Sequence, residues 1–198
     1  MVRYSAIKAT IEYLNDVLLK RKGVVKMSNK SKIGKNIDFP ANQFVVSAID
    51  WLGYSIFQGN RLLNAFKEKH KMARFEEEVF VFALDRAIFM LKISTYEYSE
   101  MQIFLDKVEY ALGKGNVKDV RDMRTHIDAY LEGKGKNQNN FIFEAGSIVS
   151  VFEGLVLDVT TTIVTDDSYI IGGKINVQKA IQVMEEILPQ VERFCGSC

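Results

Sequence analysis

At 198 residues, with 47% hydrophobic and 11% aromatic content, the chain carries enough apolar material for a substantial core, which excludes global disorder. A formal net charge of +1 excludes a strongly basic nucleic-acid coat and an acidic tail protein, leaving local charge clusters as the electrostatic lead. No apolar run reaches the roughly 18 residues of a membrane span, and the first residues carry charge where a signal peptide needs its apolar stretch; the expectation is a cytoplasmic protein with no membrane segment.

In chain order, residues 3–21 place Ile7, Ile11, Leu14, Val17 and Leu18 at helical spacing and predict an amphipathic helix. Residues 20–35 hold seven basic side chains and no acidic one among glycine, serine and asparagine, a loop that either meets phosphates or is simply solvated. Phe39-Pro40 opens a helical region reaching residue 70, with proline at a tolerated first position. Its many apolar residues predict a central helix or one kinked near Gly53 or Gly59. Trp51 and Tyr54 are read as core aromatics in preference to a base-stacking platform, and His70 as an exposed helix end.

A third helix is predicted over residues 74–94. Glu76, Glu77 and Glu78 fall in its first turns, where carboxylates suit the helix dipole; consecutive residues point in different directions, so they do not form a metal site. Asp85 and Arg86 interrupt an apolar run, and one or both are expected to face the helix over residues 116–131. A fourth helix spans residues 100–112 and stops at Gly113.

Residues 116–131 read as one helix, with Asn116 as its cap, Asp119 in the first turn, and Gly133 and Gly135 beyond its end. A 100° step gathers Val117, Val120, Met123, Ile127, Tyr130 and Leu131 on one arc. Arg121, Asp122, Thr125, His126, Asp128 and Ala129 lie on the other. Arg121 and His126 then stand about 140° apart around the axis and roughly 7.5 Å along it, so a long guanidinium and an imidazole could meet on one phosphate above Asp122 and Thr125. Asp122 and His126, four residues apart, are expected to pair. Arg124 lies at the edge of the apolar arc and is the alternative arginine for a cleft, with Arg121 then exposed. The bland alternative is an Asp-His pair on a solvated face.

The pattern Arg121-Asp122-x-x-x-His126 resembles the Arg-polar-x(3 to 5)-His signature of HEPN domains, although asparagine is the commoner polar residue. The resemblance covers residues 40–135 and implies an all-helical module acting as a metal-independent endoribonuclease. It implies that Arg121 and His126 are the catalytic pair at the scissile phosphate, supported by Asp122, Thr125 and Arg124, in a cleft formed by a homodimer.

After Gly135 the period changes. Asn137 to Asn140 make a polar break, and residues 155–163 alternate as a strand rich in β-branched side chains. Asp166-Asp167-Ser168 turns into a second strand at Tyr169-Ile170-Ile171, closed by Gly172-Gly173. Gly172-Gly173-Lys174 lacks the spacing of a phosphate loop. Residues 141–173 are expected to hold the only sheet. Asn176 caps a final amphipathic helix, and Cys195 and Cys198 read as an exposed tail in preference to half a zinc site.

The expectation is an α+β fold, mainly α: a helical bundle over residues 1–135, then a small antiparallel sheet and C-terminal helix over residues 136–198, packed as one unit. No cofactor or metal is expected. Two functions lead, ahead of a third, a small-molecule-binding bundle. One is an RNA-acting endoribonuclease of toxin or defence type. The other is a non-catalytic, antitoxin-like interaction or accessory protein with a protein partner.

Overall fold

Helical spacing of apolar side chains builds α1 (Gln43–Lys67) and α2 (Ala73–Ser94), which a short loop returns as antiparallel neighbours. The computed structural model describes residues 42–196. The amphipathic segment 3–21, the basic stretch 20–35, the Phe39-Pro40 start and Cys198 lie outside the described residues. α1 buries Val45, Ala48, Leu52 and Leu62, and α2 buries Phe80, Val81, Leu84, Ala87 and Leu91. α1 runs without interruption through Gly53 and Gly59. Gly59 is instead a point of close approach: a Cβ there would stand 2.7 Å from Ile181 and 3.0 Å from Phe80.

A 3-10 turn (Ser99–Met101) leads into α3 (Gln102–Leu112). Gly113 and Gly115, with φ of 81° and 80°, provide the left-handed backbone that ends it and starts α4 (Asn116–Thr125). Gly115, and not Asn116, occupies the cap position; the Asn116 amide donates back to the Leu112 carbonyl at 2.8 Å.

The single helix expected over residues 116–131 is two. α4 stops at Thr125, His126 leaves helical geometry at φ −116° and ψ 36°, and α5 (Ile127–Leu131) follows. Val117 and Val120 pack in the main core, whereas Met123, Ile127 and Tyr130 pack with Phe141 and Val159 in a second cluster. The segment therefore changes direction as it passes from one core to the other. Leu131, assigned to the apolar arc, is 68% exposed.

Five short strands replace the one expected sheet. β1 (Ile142–Glu144) pairs antiparallel with β2 (Val156–Asp158), Phe143 opposite Leu157. β3 (Thr162–Val164), β4 (Tyr169–Ile171) and β5 (Ile175–Asn176) form a second antiparallel sheet in that order, with Ile163 opposite Ile170. The expected strand over 155–163 breaks because the Asp158 carboxylate accepts from the Thr160 N–H at 2.8 Å and hydroxyl at 2.5 Å, and the Thr161 N–H returns to the Asp158 carbonyl. The hairpin across residues 165–168 forms as expected.

Asn176 starts α6 (Val177–Gly196), its side-chain oxygen accepting from the Lys179 N–H at 2.9 Å. Ala180, Ile181, Met184, Ile187 and Val191 join the core of α1 and α3, which therefore continues across residue 135. Cys195 lies in the last turn of α6, partly buried against this core, and so is part of the helix and not a loose tail. The fold is α+β and mainly α. No helix of the described residues is long and apolar enough to cross a membrane.

Candidate functional site: the cleft beside His126

The break between α4 and α5 puts the His126 side chain on the surface, at the wall of a cleft of about 440 Å³. Lys118, Asp119 and Asp122 of α4, Ala129 and Tyr130 of α5, and the loop residues Lys134, Gly135, Lys136 and Asn137 complete its lining. The loop is fastened down. Its Lys134 N–H donates to the Ala129 carbonyl at 2.7 Å, the Gln138 amide donates to the Tyr130 carbonyl at 2.9 Å, and the Asn137 amide donates to Asp119 at 2.9 Å.

Arg121 does not line this cleft. Its guanidinium is held between Asp85 of α2 at 3.0 Å and Asp122 at 2.5 Å, so the two carboxylates occupy the fork expected for phosphate. Asp85 thus faces α4, as its place in the sequence suggested. Arg86 does not; it lies over the Phe82 and Phe89 rings at 5.2 and 5.9 Å. Burial raises the Asp85 carboxyl above the ordinary range, with the Arg121 charge opposing. Asp122 turns to Arg121, and no side-chain hydrogen bond joins it to His126 among the described residues; their link is the His126 N–H to the Asp122 carbonyl at 3.0 Å. Thr125 is exposed on the same turn.

Arg124 enters the interior. Its side chain is 4% exposed and pairs with Glu77 and, at 3.0 Å, with Glu78 of α2; its Nε donates to the Val159 carbonyl at 3.0 Å. The second Glu77 oxygen accepts from the Thr162 hydroxyl at 2.6 Å and the Tyr169 hydroxyl at 2.8 Å. Burial raises Glu78, partly offset by Arg124, and raises the Tyr169 phenol, with Glu77 adding to the effect. The acidic run is therefore more than a helix start: Glu77 joins α2, α4, β3 and β4, while Glu76 pairs with Arg61 at 2.5 Å. The sequence carried one signal of this, an arginine, Arg124, at the edge of an apolar arc.

The cleft's electrostatics follow from who pairs with whom. Asp119 is met by Lys174 at 3.6 Å and Asp122 by Arg121, both cations from outside the lining. Lys134 pairs with Glu132 at 2.8 Å, both well exposed. Lys118 and Lys136 make no ion pair among the described residues, although the Lys118 charge acts on Asp85, which shares Arg121 with Asp122; with the imidazole they are the groups of the lining suited to an anion. Among the described residues no group of three His, Cys, Asp or Glu side chains is placed to hold a metal ion. Comparison with protein-family models, with curated proteins and with solved structures yields no match.

Proposed function

We propose that this protein acts on RNA as a metal-independent endoribonuclease of toxin or defence type, with the cleft beside His126 as its site. The observation that carries the reading is the exposed imidazole at the α4–α5 break, in a lining that also presents Lys118 and Lys136, neither of them in an ion pair among the described residues. His126 takes the proton of a ribose 2'-hydroxyl as its oxygen bonds to the adjacent phosphorus. The bond from phosphorus to the 5'-oxygen breaks, that oxygen is protonated, and a 2',3'-cyclic phosphate and a 5'-hydroxyl remain. Lys118 and Lys136 meet the charge that grows on the phosphate oxygens. Arg121 is then a positioning residue, holding Asp122 away from His126. A homodimer with two such clefts facing one another supplies a second imidazole for the leaving oxygen.

RNA cleavage should persist in excess chelator and require ribose, and His126→Ala should lower its rate by about 10²-fold or more. Undiminished cleavage by the His126→Ala protein overturns the reading.

The alternative, a non-catalytic helical interaction protein of antitoxin type, is favoured by one different observation. Val46, Phe57 and Phe89 on α1 and α2 are 47%, 53% and 44% exposed, and Tyr54, expected in the core, stacks on Phe57 at the surface. On that reading Phe57→Asp abolishes binding to the partner and His126→Ala does not.

A further inference from the structure

The residues of the cleft differ in what they are free to recognise. Base identity is read by side chains with directional patterns, such as the arginine fork and the asparagine or glutamine amide, or by exposed rings on which bases stack. The forks and amides are engaged here, and the one exposed ring of the lining, the His126 imidazole, stacks bases without choosing among them. The Arg121 fork is held by Asp85 and Asp122. The Asn137 amide donates to Asp119. Tyr130, the other aromatic ring in the lining, is 6% exposed, stacks on Phe141 at 5.4 Å and accepts the Asn137 N–H at its hydroxyl at 3.5 Å. What remains without a hydrogen bond or ion pair from its side chain among the described residues is Lys118 and Lys136, flexible point charges that respond to phosphate wherever it lies, together with the His126 imidazole.

We infer that the cleft holds the sugar-phosphate backbone of single-stranded nucleic acid without reading its bases. The inference rests on the proposed RNA-acting role for its choice of polyanion, and it adds that affinity at this site is indifferent to sequence and to the sugar. Selectivity for ribose then belongs to the chemical step alone, because the 2'-hydroxyl is needed as nucleophile and not as a contact. Each free lysine that neutralises one phosphate of a single strand contributes about 0.7 to the slope of log affinity against log salt, so the pair contributes about 1.4.

The test separates binding from cleavage by using strands that cannot be cut. Labelled 2'-O-methyl oligomers of uridine, adenosine and cytidine and an oligothymidylate, each roughly a dozen nucleotides long, are titrated with the full chain by fluorescence anisotropy between about 50 and 300 mM KCl. The four affinities should agree within about threefold. Lys118→Gln and Lys136→Gln should each reduce the salt slope by about 0.7, while Lys92→Gln, outside the cleft, leaves it unchanged. Inorganic phosphate at millimolar concentration and polyglutamate of matched charge should displace the oligomers poorly.

A preference of about tenfold or more for one base overturns the inference, as do absent binding, equal displacement by polyglutamate, or a slope unmoved by both lysine variants. The last result would place the contact elsewhere on the chain. Binding with these properties but no cleavage of ribose substrates would leave the inference standing and remove the nuclease reading.

Discussion

Replacing Arg124 by methionine tests whether the Glu77 cluster is a sealed ionic joint. The substitution keeps an unbranched stem and removes the guanidinium. Glu77, whose side chain is 3% exposed, then keeps the Thr162 and Tyr169 hydroxyls but loses its nearest cation, and the Val159 carbonyl loses its donor. Breaking a buried pair from one side costs about 3–5 kcal/mol, a large part of the roughly 5–15 kcal/mol that holds a domain of this size together. With a urea dependence of about 2 kcal/mol per molar, the midpoint should fall by roughly 2 M. Glu77→Gln should cost less, about 1–3 kcal/mol, because Arg124 keeps Glu78 at 3.0 Å. The double variant should lose less than the sum of the singles, with a coupling of about 1–3 kcal/mol. Trp51, the sole tryptophan, reports unfolding by fluorescence, and coincidence with far-ultraviolet circular dichroism tests two-state behaviour. An Arg124→Met loss below about 1 kcal/mol would show that water reaches Glu77 and would refute the reasoning.

Gly59→Ala should destabilise by about 1–3 kcal/mol, because its Cβ meets Ile181 at 2.7 Å and Phe80 at 3.0 Å, whereas Gly53→Ala, with nothing within 4 Å, should stabilise by about 0.5–1 kcal/mol; urea midpoints compare the two. A folded-state carboxyl held above its unfolded value favours the native state at low pH and loses that contribution as pH rises through the folded value. Glu78 is such a group, so Glu78→Gln should be neutral or stabilising near pH 7 and lose that advantage below about pH 4; a variant unstable only at neutral pH would contradict the sign. Asp85, raised for the same reason, should show an upward-shifted carboxyl titration by nuclear magnetic resonance that moves higher still in Arg121→Gln, where the opposing charge is gone.

The long helices were legible because a 3.6-residue apolar period recurs through 43–67 and 73–94 without competition from turn residues. The hairpin over residues 162–171 was legible because Asp166-Asp167-Ser168 punctuates an alternating pattern. The break at Val159 was written in Asp158-x-Thr160 but outweighed by β-branched residues on either side. At the site, periodicity sorts residues by face and not by partner. It put Arg121 and His126 beside a common phosphate position, but the cation-carboxylate pairings depend on what α2 presents across the interface, and Asp85 and Glu77 lie 36 and 47 residues away in sequence.

Those pairings and the break in the helix are linked. Arg124 locks the end of α4 to α2 and to the Val159–Thr160 turn, while Tyr130 locks α5 to Phe141 beneath the loop that carries Lys134 and Lys136. The backbone departs from helical geometry at His126, between these two anchors. At this departure the imidazole is exposed and, among the described residues, without a carboxylate partner, Asp122 being turned to Arg121. The exposed His126 thus lies between two packed segments. A residue of higher helix propensity at 126 should leave the break in place, because propensity differences of a few tenths of a kcal/mol are small beside two buried anchors.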